Sequence, residues 1–97
     1  MNIQDRYIII LKVICDYYGL SDIDVIQICK DKDIRYLLLL FFKKYNCLNS
    51  EELKDILNVK TNRSVYNNIK RAEEHLLINR DFRNIYFEIE DGLLKNN

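Results

Sequence analysis

Apolar residues recur every three to four positions along most of this chain, which is the spacing of one face of an α-helix. The first such stripe comprises Ile3, Tyr7, Ile10, Leu11, Ile14 and Tyr18. Gly19 follows the stripe, and a glycine just beyond the last periodic residue commonly ends a helix. The pattern therefore predicts a first helix that ends near Gly19.

A short second helix is predicted to begin after Ser21, because serine is a favoured N-cap residue. Asp22 and Asp24 would lie in its first turn, where negative charge complements the helix dipole. A charged stretch, Lys30–Asp33, then leads to six consecutive apolar residues, Leu37–Phe42. Such a run covers every side of a helix, so this segment is predicted to be the central helix, surrounded by the others.

Two more helices, joined by a short connection, are predicted after the central one. The first would be capped by an asparagine or serine near Ser50 and would be ended by Asn58, which tolerates the left-handed conformation. Its apolar side comprises Leu53, Ile56 and Leu57. The second would start about Thr61–Asn62. Its buried stripe comprises Val65, Ile69, Ala72 and Leu76.

The final segment allows two interpretations. Ile85, Phe87 and Ile89 alternate like a β-strand, as in the wing of a winged helix. A longer window instead shows helical spacing, with Asp81 as a possible cap. The residues with that spacing are Phe82, Ile85, Tyr86, Ile89 and Leu93. We predict a helix.

Composition supports an all-α fold. The 97 residues include no proline and two glycines, whereas a β-sandwich or barrel needs turn residues every 8–12 positions. Two distant glycines also cannot build a phosphate-binding loop, so we expect no bound nucleotide. The prediction is one compact domain of five to six helices over residues 1–97, containing a helix-turn-helix at about residues 51–77.

The charges are balanced overall but unevenly distributed. Fifteen Lys and Arg residues offset fifteen Asp and Glu residues, and the formal net charge is zero. Residues 30–72, however, carry an excess of positive charge between two acidic flanks. This localised basic block is a modest electrostatic indication of nucleic-acid binding. The longest apolar run is far shorter than the roughly 20 residues that span a bilayer, so we expect no membrane partner.

The residues with catalytic or metal-binding chemistry are few and scattered. Cys15, Cys29 and Cys47 lie far apart, and the single histidine, His75, lies far from them in sequence. That spacing does not suit a zinc site, so we expect no metal and no cofactor. A Cys–His nucleophilic pair stays open, but no third residue orients it, and buried free thiols in a reducing cytoplasm are the favoured interpretation. We predict that the chain is not an enzyme.

Several other polar residues are expected to have no special role. His75 is expected to be exposed and idle, while Tyr17 and Tyr45 are expected to pack against other residues. A set of carboxylates is interpreted as solvated charge. These are Glu73, Glu74, Glu88, Glu90 and Asp91.

The two helices between residues 51 and 77 are typical of a DNA-binding helix-turn-helix. Helical spacing places Arg63, Asn67 and Lys70 opposite the buried stripe, with Ser64 and Arg71 beside them. At the start of a recognition helix, Arg63 could address guanine, and Asn62 or Asn67 could pair with adenine. Lys60 and the helix N-terminus suit phosphate oxygens.

Four segments match, in order and spacing, the elements of one DNA-binding family. They are Tyr17–Ile26, Arg35–Lys44, Ser50–Leu57 and Leu57–Val65, which resemble the family patterns Y-Y-x-I-x-x-x-D-L-L, R-Q-I-A-M-Y-L, S-L-P-E-I-G-x-x-F and F-G-G-R-D-H-T-T-V. Over roughly Tyr7 to Leu94 the chain resembles the C-terminal DNA-binding domain (domain IV) of the bacterial replication initiator DnaA. The resemblance implies a Trp-repressor-like helical fold.

The resemblance also implies roles for individual residues. Arg35 would contact phosphate, Lys43 would be a basic position on the central helix, and Lys60 would be the basic residue of the turn. The base-reading positions would be Thr61, Asn62, Arg63 and Ser64. The family letters D-H-T-T are not kept there, and the family's basic loop is shortened to Gln27–Asp33. We therefore expect a sequence preference different from that of the initiator.

Two functions remain open from the sequence. The first is a small protein that binds double-stranded DNA and regulates replication or transcription. The alternative is a protein-interaction module that keeps the fold but has lost DNA binding, either as a homodimer or with another protein. It would use apolar surface left on the first or last helix.

Overall fold

The computed structural model describes residues 3–20 and 30–95, and within those ranges the chain is helical with no strand. The helices are α1 (Ile3–Tyr17), α2 (Lys32–Lys44), α3 (Ser50–Leu57), α4 (Asn62–Ile78) and α5 (Arg80–Lys95). The predicted all-α class is thus confirmed. The short helix predicted after Ser21, the greater part of the shortened loop and Cys29 lie outside the described residues.

α1 ends where the sequence predicts. Gly19 has a positive φ of 69°, a conformation that costs glycine little because it has no Cβ. The Leu20 N–H donates to the Cys15 carbonyl (2.8 Å) and the Gly19 N–H to the Asp16 carbonyl (3.2 Å). These two bonds form a Schellman-type cap that satisfies carbonyl groups at the end of the helix.

α2 is the central helix, as predicted. Asp31 caps it by accepting a hydrogen bond from the Ile34 N–H (3.1 Å), and α1 and α4 both pack against it. Its buried residues are Ile34, Tyr36, Leu37, Leu38, Leu39, Leu40, Phe41 and Phe42. The apolar run is therefore the middle of the core, which also includes the buried thiols of Cys15 and Cys47.

α2 crosses α4 near Ala72. The Lys43 ammonium contacts Glu73 on one side of α4 (3.2 Å), and the Asp33 carboxylate contacts His75 on the other (3.1 Å). Ala72 lies between these contacts and is fully buried. These two side-chain contacts connect α4 to both ends of α2.

The final segment is helical, which confirms the interpretation based on the longer window. Phe82, Tyr86, Ile89 and Leu93 form the buried side of α5, which packs against α1 and α4. The predicted cap, however, is wrong. Asn79 Oδ1 accepts from the Phe82 N–H (2.9 Å), so Asn79 is the capping residue, while Asp81 is exposed in the first turn. A single residue, Asn79, thus connects α4 to α5.

Tyr17 and Tyr45 both pack against other rings, as predicted. Tyr17 is 42% exposed but meets the Tyr18 ring edge-on (5.2 Å between centroids), and Tyr45 is half-buried and stacks on Phe41. Two other expectations about side chains are wrong. Glu90 is not simply solvated, because it forms an ion pair with Lys44 in which its side chain is mostly buried. His75, expected to be exposed and idle, has a side chain that is only 14% exposed and contacts Asp33.

No helix in the described part of the chain is long and apolar enough to cross a bilayer.

Candidate functional site

The connection between α3 and α4 is short and tightly bonded. Asn58 adopts the left-handed conformation with φ 55°, as predicted, and ends α3. The Val59 N–H donates to the Lys54 carbonyl (3.0 Å), and the Asn58 N–H donates to the Asp55 carbonyl (3.2 Å). At its other end, α3 starts with a capping box in which Asn49 and Glu52 bond each other's backbone N–H groups. Hydrogen bonds therefore fix both ends of α3, and the short connection that follows positions the start of α4.

Thr61 sets the first turn of α4. Its hydroxyl accepts a hydrogen bond from the Ser64 N–H (3.1 Å) and donates to the Ser64 hydroxyl (3.0 Å). The Ser64 carbonyl in turn accepts from the side-chain amide of Asn68 (2.9 Å). Of the four positions that the resemblance assigns to base reading, Thr61 and Ser64 thus have hydroxyls that bond each other. The two hydrogen bonds between Thr61 and Ser64 fix the backbone of Asn62 and Arg63, which lie between them.

The remaining predicted contact residues of α4 face solvent. Asn62 and Arg63 are exposed on the first turn, and Asn67 and Lys70 are exposed on the next two. On the opposite side, Val65 and Ala72 are buried, and Ile69 and Leu76 pack partly buried against the core. The buried stripe and the polar face are thereby confirmed.

Tyr66 is a residue of this surface that sequence reasoning missed. Its side chain is 57% exposed, and the Lys70 ammonium lies 5.5 Å from the centroid of its ring. The sequence position of Tyr66 could have indicated its exposure. Tyr66 directly follows Val65, and one residue turns a helix by about 100°, which carries Tyr66 out of the buried stripe.

Charge on the solvent face of α4 changes sign along the helix. Arg63 is exposed on its first turn, and Lys70 and Arg71 are exposed at its middle. Glu73 and Glu74 follow at once and are exposed as well. A phosphate backbone would be attracted to the first half and repelled by the second. The surface suited to an anionic ligand is therefore confined to the first half of α4 and the connection before it, where Lys60 is also exposed.

The structure separates Arg35 and Lys43 from that surface. Lys43 contacts Glu73, which is ten residues beyond Arg63 and hence about 15 Å further along α4. Arg35 is half-buried beside the Tyr36 ring, whose centroid lies 5.5 Å from the centroid of the His75 ring on α4. Both cations therefore lie beside the second half of α4. They are not part of the cluster at its N-terminus.

Three observations within residues 3–20 and 30–95 concern the groups that could hold a metal or act as a nucleophile. No three or more His, Cys, Asp or Glu residues in these ranges form a metal-binding group. Burial raises the pKa of both the Cys15 and the Cys47 thiol, which disfavours the reactive thiolate. His75 already uses its Nε2 atom in the contact with Asp33.

The first half of α4 and the preceding connection thus bring together Lys60, Asn62, Arg63, Asn67 and Lys70 on one exposed surface. Comparison of the chain with protein-family models, curated proteins and solved structures finds no match.

Proposed function

We propose that the protein binds double-stranded DNA through the first half of α4, as a small helix-turn-helix regulator of replication or transcription. The observation that carries the proposal is the start of α4. There, exposed Asn62 and Arg63 stand on a turn whose backbone is fixed by the Thr61 cap. A preorganised turn loses little entropy when it enters a groove, so its side chains can read base edges efficiently.

The residue types suit the major groove of DNA. The Arg63 guanidinium can donate two hydrogen bonds to guanine, and the amides of Asn62 and Asn67 match the donor and acceptor of adenine. Lys60 and the N-terminal N–H groups of α4 suit phosphate oxygens, which position the protein without specifying sequence. Arg35 and Lys43, about 15 Å further along, would contact flanking phosphates. Lys43 would exchange its exposed ion pair with Glu73 for such a contact at little cost.

A sequence preference different from that of the DnaA initiator domain follows from the side chains present. Asn62 and Arg63 stand where that family has histidine and threonine, so the hydrogen-bonding pattern offered to the bases differs. The two hydroxyls at Thr61 and Ser64 are engaged with each other and would support these contacts.

The test measures binding of fluorescently labelled random-sequence duplex DNA by anisotropy at about 50 and 200 mM salt. Because a few phosphate contacts release counterions, affinity should fall on the order of tenfold or more across that range. Arg63→Ala should weaken binding by about 1–3 kcal/mol. Arg80→Ala is a matched control, since Arg80 is an exposed arginine at the start of α5, just beyond the end of α4 that lies about 22 Å from Arg63. Equal affinities for both variants and the wild type would contradict the proposal.

A second candidate function, a protein-interaction module, is favoured by a different observation. Leu77 and Ile78 are 74% and 82% exposed at the end of α4. Large apolar side chains held in solvent next to each other mark interaction surfaces more often than isolated ones do.

A further inference from the structure

The backbone that carries Leu77 and Ile78 is firmly held. The Arg83 Nη1 donates to the Leu77 carbonyl (2.8 Å) and to the Leu76 carbonyl (3.3 Å), which satisfies two carbonyl groups at the end of α4. Asn79 then caps α5 directly. Leu77 and Ile78 are therefore presented on a rigid corner between two helices, where backbone fraying does not account for their exposure.

Two exposed apolar residues of α5 continue along the helix from this corner, Phe87 about 6 Å and Leu94 about 16 Å beyond Arg83. Phe87 and Leu94 are 54% and 59% exposed. They share a flank of α5 with Arg83 and Glu90, since these four positions are spaced by four, three and four residues. That flank faces α4 and α2, because Arg83 bonds the end of α4 and Glu90 pairs with Lys44. We call Leu77, Ile78, Phe87 and Leu94 the corner surface.

The rim of the corner surface carries charges of both signs, separated by helix. Lys43 and Lys44 stand on α2, and their ion-pair partners Glu73 and Glu90 stand on α4 and α5. Beside them is an open groove of about 500 Å³, whose apolar lining includes Leu77 and Tyr86. A surface that carries both charges can be complementary to itself after a two-fold rotation, when lysines of one copy meet glutamates of the other.

We propose that the corner surface binds the corner surface of a second copy of this chain in a two-fold dimer. The lysines of each copy would face the glutamates of the other, around an apolar centre made by Leu77 and Ile78. A nucleic acid or an anionic membrane would meet as many glutamates as lysines at this rim, so it would gain no net attraction there. The formal net charge of zero also means that two copies do not repel each other in bulk.

The available area indicates a weak dimer. Each of the four side chains of the corner surface exposes on the order of 100 Å², and with the charged rim two copies would bury about 1,000 Å² in total. That is near the lower limit for a specific interface. The first turn of α4 is about 24 Å from Ile78, so dimerisation would leave it free. A second copy of this chain would thus be the partner in the protein-interaction function described above, and the dimer does not depend on DNA binding.

Sedimentation equilibrium of the wild-type chain between about 10 µM and 1 mM tests the dimer. The weight-average mass should rise with concentration from 11.7 kDa toward twice that value. The double variant Leu77→Gln/Ile78→Gln should raise the dissociation constant at least about tenfold. Ile8→Gln on α1, where the side chain is 56% exposed, is the matched control and should dimerise like the wild type. A wild-type mass that stays at 11.7 kDa, or a corner variant that dimerises normally, would overturn the proposal.

A charge exchange tests the two-fold arrangement itself. Lys43→Glu and Glu73→Lys each place like charges opposite one another in a homodimer, so each variant alone should associate less than the wild type. An equimolar mixture of the two restores opposite charges at both crossed contacts and should associate more than either variant alone. A mixture that associates no better than its components would contradict the crossed pairing. Far-ultraviolet circular dichroism confirms that each variant remains folded.

Discussion

The Nε2 atom of His75 lies 3.1 Å from Oδ1 of Asp33, and this contact joins the second half of α4 to the first turn of α2. The imidazole ring also lies 4.5 Å from the ring of Phe82 on α5 and 5.5 Å from that of Tyr36 on α2, measured between centroids. The side chain of His75 thus contacts two other helices, α2 and α5. The single histidine of the chain has a structural position in the fold.

We expect His75→Ala to lower the free energy of unfolding by about 2–3 kcal/mol, because it removes the ring packing and leaves a partly buried carboxylate without this partner. Urea unfolding at neutral pH, followed by circular dichroism, measures the change. Asp33→Ala keeps the ring contacts and should cost only about 1 kcal/mol. If His75→Ala and the wild type unfold at the same urea concentration, the histidine does not join the helices.

Local sequence signals were sufficient to predict most of the helices and the central position of α2. The uninterrupted apolar residues of α2 indicate a central helix, since no orientation of such a helix would leave one side in water. Asn58 could be predicted to end α3 because few other residues adopt positive φ at low cost. The helical spacing from Phe82 to Leu93 outweighed a three-residue strand-like alternation, because the longer pattern constrains more positions.

The features that sequence reasoning missed depend on contacts between distant segments or on small backbone differences. His75 and Asp33 are 42 residues apart, so no local pattern brings them together. Asn79 and Asp81 are both acceptable capping residues, and only the position of the last α4 residue decides between them. At the candidate site, periodicity predicted that Arg63, Asn67 and Lys70 face solvent. It could not predict that Thr61 and Ser64 bond each other, because a hydroxyl serves a cap or a ligand equally well.

Thr61 and Arg63 should have separable roles. Thr61→Ala removes the N-cap of α4 and should lower the free energy of unfolding by about 1 kcal/mol. Arg63→Ala should change stability by less than about 0.5 kcal/mol, because its side chain is exposed. Chemical denaturation of both variants checks this, with Thr61→Ser as the control that keeps a capping hydroxyl. The outcome that contradicts the assignment is a loss of stability in Arg63→Ala that equals the loss in Thr61→Ala.

Asn58 should tolerate glycine better than alanine. Its φ of 55° is a left-handed conformation, in which a Cβ costs about 1 kcal/mol and in which glycine is unstrained. Asn58→Ala should therefore lower the free energy of unfolding by about 1 kcal/mol, while Asn58→Gly should leave it unchanged or raise it slightly. Thermal unfolding of the two variants measures the difference. An alanine variant as stable as the glycine variant would show that the turn does not require positive φ.

Tyr18 should make the fold sensitive to alkaline pH. Burial, reinforced by the nearby carboxylates of Asp33 and Asp31, raises the pKa of its hydroxyl from 10.0 to about 12. The unfolded chain then loses this proton at lower pH than the folded chain does. The associated stability is complete below pH 10 and is lost as the pH rises toward 12.

Tyr18→Phe removes that titration. Between pH 9 and pH 11 the wild type should lose about 0.5–1 kcal/mol more stability than the variant, since solvent screens part of the effect at a partly exposed ring. At pH 7 the variant should be at least as stable, because the buried hydroxyl makes no hydrogen bond within the described part of the chain. Urea unfolding at the three pH values measures both effects. Parallel losses of stability in the two proteins would rule out Tyr18 as the source of the alkaline sensitivity.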